Sequence, residues 1–127
     1  MTKYEVIFEQ FHRAVKNLDA ILKMEKTDVV RDAAIKRFEL AFDLCWKCLK
    51  AHLELQGIKC ASPRECFEEA YRAKLLEYNV WWVTLVSVRN YTVHTYKEIF
   101  AEKVYQSLPE AALHFQTLLA ALENKKI

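Results

Sequence analysis

One glycine and two prolines occur in a chain of 127 residues. Sheet proteins turn back every few residues, and their turns draw on Gly, Pro, Asn and Asp for backbone conformations that other residues resist. A chain this poor in turn residues makes few turns. Long helices joined by short connections meet that condition, and short connections favour antiparallel neighbours. The expected fold class is all-α, an up-and-down antiparallel helical bundle. Apolar residues make up 53% of the chain and charged residues 28%, a globular rather than a disordered balance. The length suits one domain over residues 1–127, large enough to bury a core without staples.

Periodicity and capping signals divide the chain. Val6, Ile7, Phe11, Ala14, Leu18, Ile21 and Leu22 recur at three- and four-residue steps, predicting a first helix over about 3–24. Thr27-Asp28 offers an N-cap for a second helix over about 29–56. Its expected buried face is Ile35, Phe38, Phe42, Cys45, Trp46, Leu49 and Leu53, and Gly57 stands where a helix C-cap wants positive φ. Ser62-Pro63-Arg64-Glu65 has the form of a capped start with proline at the first helical position, for a third helix ending near Leu76. Asn79 can cap a fourth helix reaching about Arg89. Thr95 to Glu98 has capping-box spacing for a fifth, and Ser107-Leu-Pro109-Glu110 for a sixth ending near Glu123.

Nineteen basic against 17 acidic residues give a net charge of +2. That is too even for non-specific coating of nucleic acid, though it permits a local basic cleft. The opening residues lack the apolar core of a signal peptide, and the most apolar run, Val80 to Val88, is far short of a membrane span. The expectation is a cytoplasmic protein with no membrane partner, its four cysteines free thiols.

Chemistry concentrates in Arg89-Asn90-Tyr91-Thr92-Val93-His94-Thr95-Tyr96. With Thr95 as N-cap, His94 would stand just outside a helix N-terminus, where unpaired N–H groups favour an anion such as phosphate. Arg89 adds a permanent charge with planar donors, and His94 can exchange protons near neutral pH. An imidazole to activate a ribose 2′-hydroxyl and a guanidinium to stabilise the crowded phosphate are a minimal set for RNA cleavage without a metal. In one unbroken helix, however, positions 89 and 94 lie about 140° apart. Either the chain turns between them or two subunits pool their motifs.

Three separated segments carry a resemblance. Arg37-Phe38-Glu39-Leu40-Ala41-Phe42-Asp43-Leu44-Cys45-Trp46-Lys47 with Leu53-Glu54-Leu55-Gln56-Gly57 is the first. Ser62-Pro63-Arg64-Glu65 and Arg89-Asn90 with His94-Thr95-Tyr96 follow in order. The chain resembles the nucleotidyltransferase substrate-binding family, a branch of the HEPN superfamily that includes the HepT toxins. The resemblance implies a homodimeric bundle similar to the helical half of aminoglycoside nucleotidyltransferases such as the kanamycin enzyme. It implies a cognate minimal nucleotidyltransferase as partner, RNA as substrate, and no cofactor or metal. The HepT motif is Arg, four residues, His, one residue, Tyr, and it falls on Arg89, His94 and Tyr96. By carry-over Arg89 and His94 are the ribonuclease pair of a type VII toxin–antitoxin system, and Tyr96 is where the partner attaches AMP to silence it. The alternative implication is a non-catalytic substrate-binding subunit. Relatives often carry an acid one or two places before the motif arginine; here Ser87 and Val88 stand there.

Other residues read more plainly. Cys45-Trp-Lys-Cys48 has CxxC spacing but sits mid-helix with no second pair, so Cys45 is expected in the core and Cys48 near its edge. Of Trp81 and Trp82, one is expected in the core and the other at a subunit interface. His12, His52 and His114 lie in helices without partners at ligand spacing, and Asn90 is expected to hold the motif turn by bonding to backbone.

Overall fold

The computed structural model describes residues 1–124. It contains α1 (Lys3–Leu22), α2 (Asp28–Leu55), α3 (Pro63–Arg72), α4 (Trp81–Tyr91), one 3₁₀ turn (Thr92–His94) and α5 (Glu98–Asn124). No strand occurs among the described residues. The helices form the expected all-α bundle: α1 and α2 pair as a long hairpin, α5 packs against both, and α3 and α4 close the side between α2 and α5.

Each early helix begins at a side chain that accepts an otherwise unpaired N–H. Thr2 and Glu5 form a full capping box. Thr27 Oγ1 accepts from the Val30 N–H at 3.1 Å, and Ser62 Oγ from that of Glu65 at 3.2 Å. α2 ends as expected at Gly57, whose φ of 78° lets the Ile58 N–H reach back to the Leu53 carbonyl at 2.9 Å.

Aromatic rings tie the helices together. Phe11 of α1, Phe38 of α2 and Phe115 of α5 are fully buried, with ring centroids of Phe115 at 5.9 Å from Phe11 and 6.1 Å from Phe38. Burying each such side chain contributes roughly 1.5–3 kcal/mol. Phe67 of α3 stacks on Trp82 of α4 at 5.2 Å and lies 6.3 Å from Phe42, which fixes α3 and α4 to α2.

The structure corrects several expectations. The fifth and sixth helices are one, with Pro109 inside α5. Ala101, Val104, Leu108, Ala111, Ala112 and Phe115 keep a single buried stripe in phase through the proline, so packing outweighs the lost N–H. α3 stops at Arg72, because Lys74 takes φ of 60° and the Leu75 N–H closes on the Ala70 carbonyl; Leu75 and Leu76 stay buried beyond it. On α1 the buried stripe runs through Tyr4, Phe8, Phe11, Val15 and Leu18, and Val6 is exposed. Cys60 and Cys66, expected as thiols, form a disulfide. The start of α3 brings their Cα atoms to 5.2 Å, a separation that a disulfide spans, and six residues of sequence separation do not by themselves reveal that proximity. Cys48 is wholly buried beside Cys45, not at the core's edge.

One polar cluster is built into the bundle. Arg31 is only 3% exposed, yet its guanidinium donates to Glu98 Oε2 at 2.7 Å, to Glu102 Oε1 at 3.0 Å and to Asp32 Oδ1 at 3.0 Å. Lys26 reaches Glu102 at 2.5 Å. The cluster pins the first turns of α5 to the start of α2. The Arg31 hydrogen bond holds the Glu98 carboxyl below its ordinary pKa; the Lys26 bond, and then that of Arg31, do so for Glu102.

Candidate functional site at the junction of α4 and α5

The junction is held by two threonines. Thr92 is buried; its hydroxyl donates to the Arg89 carbonyl at 2.7 Å and accepts from Arg89 Nη1 at 2.9 Å. The Thr95 hydroxyl donates to the Thr92 carbonyl at 3.0 Å. These backward bonds tighten the end of α4 into the 3₁₀ turn. Thr95 is therefore not the cap of α5: an N-cap hydroxyl accepts from N–H groups ahead of it, and this one donates behind. His94 belongs to the 3₁₀ turn, and its carbonyl accepts the Lys97 N–H at 3.0 Å. Asn90, expected to hold the turn, makes no backbone bond among those described and lies on the last turn of α4.

Arg89 has partners that its sequence neighbours did not reveal. Its Nε lies 3.4 Å from Asp43 Oδ1, and its Nη1 lies 3.6 Å from Glu39 Oε2. Both acids come from α2 and the arginine side chain is 27% exposed, so solvent still screens the pair. The acid missing from the places before the motif arginine is thus supplied from another helix. The spacing of Glu39 and Asp43, four residues apart on one helix, was the available signal: two carboxylates on one face call for a cation.

His94 points elsewhere. It is exposed and lines a depression with Ser87, Asn90 and Tyr91. Its ring centroid is 6.1 Å from Phe100 and 6.2 Å from Tyr96, and Tyr96 is 77% exposed. No described contact joins His94 to Arg89. The tighter 3₁₀ winding, about 120° per residue, carries position 94 to the side of α4 opposite position 89. The structure thus brings His94 and Tyr96 together and leaves Arg89 apart, bound to α2.

The remaining reactive groups lie away from this junction. Burial raises the pKa of Cys45 well above its ordinary value and pushes Cys48 up to about 12, so both stay protonated thiols. His52 is buried against Tyr4, with ring centroids 5.2 Å apart. His114 sits between Trp81 and Trp82, at 5.0 and 5.6 Å. Trp82 is the core member of that pair and Trp81 is half-buried. No helix among the described residues is long and apolar enough to cross a membrane.

Residues 4–124 match the family described as nucleotidyltransferase substrate binding protein like. The chain belongs to that family. A Haemophilus influenzae protein named "Probable ribonuclease HepT" is 27% identical over 103 residues, which cover 77% of this chain and 70% of that protein. A crystal structure from Thermus thermophilus superposes with a TM-score of 0.83 at 34% identity, covering 88% of this chain and 98% of the other. A second solved structure, from Haemophilus influenzae and described as revealing the fold of a substrate binding domain of a nucleotidyltransferase, superposes with a TM-score of 0.70 at 24% identity. It covers 94% of this chain and 96% of its own, and it supports the shared bundle fold alone. The family links the chain to nucleotidyltransferase chemistry, and the name of the HepT relative points to ribonuclease chemistry in that protein.

Proposed function

We propose that this chain is a HepT-like endoribonuclease that needs no metal, the toxin of a type VII toxin–antitoxin pair, silenced when a cognate minimal nucleotidyltransferase adenylylates Tyr96. The observation that carries the reading is the exposed His94–Tyr96 pair at the end of a 3₁₀ turn, five residues beyond an oriented arginine. His94 takes the proton of a ribose 2′-hydroxyl. The 2′-oxygen attacks the adjacent phosphorus, a 2′,3′-cyclic phosphate forms, and the 5′-oxygen leaves with a proton returned by an imidazolium. Arg89 stabilises the charge that builds on the phosphoryl oxygens. Because Arg89 and His94 of one chain face opposite sides of α4, the reading requires a homodimer whose two copies combine their motifs in one cleft. Tyr96 stands clear of the bundle, where a partner enzyme can reach it. An AMP group there would set a phosphate beside His94 and repel an incoming RNA phosphate.

A second reading has one observation in its favour. Glu39 and Asp43 already compensate the charge of Arg89, as they would in a non-catalytic subunit that presents a substrate to its nucleotidyltransferase.

The test is RNA cleavage by the purified protein in EDTA, beside His94→Ala and Tyr96→Phe, with each intact mass checked for a nucleotide adduct. Cleavage in EDTA that falls a hundredfold or more with His94→Ala is the expected result, in the range of a lost general base, about 10²–10⁴. Several RNAs left intact by adduct-free wild-type protein would transfer the assignment to the binding subunit.

A further inference from the structure

His94 stands at the end of a groove that the proposed reaction does not by itself explain. The groove runs between α4 and α5, is open to solvent, and has a volume of about 330 Å³. Its walls include Thr84, Ser87, Tyr91, Phe100, Lys103 and Ser107. Ser87 and Tyr91 also line the His94 depression, so the two hollows adjoin.

Its lining combines an exposed aromatic face with a cation. Tyr91 and Phe100 stack with centroids 5.8 Å apart and planes 14° from parallel, and Tyr91 is 51% exposed. Such a ring offers a base a stacking face. Lys103 is exposed and pairs with no carboxylate among the described residues. Lys97 lies over the Phe100 ring at 5.8 Å. Among the described residues no acid lines either hollow. The reason lies in α5, where Glu98 and Glu102 turn away to reach Arg31, leaving Lys103 unopposed in the groove wall. The aromatic cleft between α3 and α4 has the reverse character: Glu68 and Glu77 line it, and its one cation among the described residues, Arg64, pairs with Glu68 at 3.6 Å. Phosphate is repelled there and attracted here.

We propose that the α4–α5 groove is the single-stranded RNA-binding track of this protein, with Tyr91 stacking a base next to the scissile phosphate and Lys103 and Lys97 holding backbone phosphates. The inference rests on the ribonuclease reading and adds to it the residues that place the substrate against His94.

Binding is measured apart from chemistry, with adduct-free His94→Ala protein and a short fluorescein-labelled single-stranded RNA in EDTA, followed by anisotropy over a salt series. Adding Tyr91→Ala or Lys103→Glu should each weaken binding about tenfold. Losing the Lys103 contact should also lower the salt dependence by about 0.7 in slope. Lys36→Glu on α2 makes the same charge change outside the groove and should leave affinity within about twofold. Equal weakening by Lys36→Glu, or no change in the groove variants, overturns the proposal. So does loss of binding accompanied by a halved mass in light scattering, which would make the groove an interface between copies. If the groove variants weaken binding but wild-type protein cleaves no RNA, the groove stands and the catalytic reading fails.

Discussion

Asp43 and Glu39 both face one guanidinium, and that arrangement decides what Arg89 can do. Their contacts engage Nε and Nη1, which fixes the plane of the fork before any phosphate arrives. In the ribonuclease reading the acids are positioning residues. The double substitution Glu39→Gln with Asp43→Asn should lower the cleavage rate about tenfold to a hundredfold through misplacement of Arg89. RNA affinity should hold or rise, since two repelling charges are gone. Single-turnover rates and equilibrium binding on the same variant separate the two effects; an unchanged rate removes the acids from the mechanism. Arg89, His94 and Tyr96 could be nominated from the sequence because they are near neighbours in a motif, and the structure brings only His94 and Tyr96 together. Glu39 and Asp43 were not, because 46 residues separate Asp43 from Arg89 and only the packing of α3 and α4 onto α2 brings them together. Thr95 misled for a local reason: a hydroxyl three residues before a glutamate can cap a helix ahead or bond to the turn behind, and the spacing is the same.

At the level of an element, the continuity of α5 shows the same competition. Ser107, Pro109 and Glu110 carry a start signal in the middle of a helix. Local signals lost to the buried stripe, whose period runs unbroken through the proline. The starts that did hold, at Thr27 and Ser62, follow real breaks in apolar periodicity. Pro109 still withholds an N–H from the carbonyl of Tyr105, four residues back. Pro109→Ala should therefore stabilise the protein by about 1–3 kcal/mol, allowing for the entropy the proline removed from the unfolded chain. The measurement is the urea midpoint at unchanged slope. A lower midpoint would mean that the packing of Leu108 and Ala111 depends on a bend at the proline.

Across the whole molecule, electrostatics at Arg31 links the two ends of the bundle's sequence. The unfolded carboxyls of Glu98 and Glu102 titrate near 4.5, and their folded values are lower. A depressed carboxylate contributes stability that is complete above its unfolded pKa and is lost as pH falls through the folded one. Thermal stability should accordingly drop as pH falls below about 4.5. Arg31→Met should be less stable at neutral pH and show a shallower decline over that interval. Parallel melting curves of the two proteins between neutral and acid pH would check this, and identical slopes would dissociate the cluster from acid sensitivity. The bundle itself could be anticipated from the scarcity of glycine and proline. The buried arginine could not, since nothing in the residues around Arg31 distinguishes it from the solvated cations elsewhere on α2.

Both anchors of the segment bearing His94 and Tyr96 lie on the same helix. Arg89 is tied to Asp43, and Glu98, nine residues later, is tied to Arg31. Between Arg31 and Asp43, α2 rises about 18 Å, at 1.5 Å per residue. α2 thus serves as the ruler on which the segment bearing His94 and Tyr96 is measured. One residue inserted between Arg31 and Glu39 would swing one anchor about 100° away from the other. Side-chain changes on the solvent face of that stretch leave the ruler intact, whereas a change in its length disturbs the site without altering any of the residues that form it.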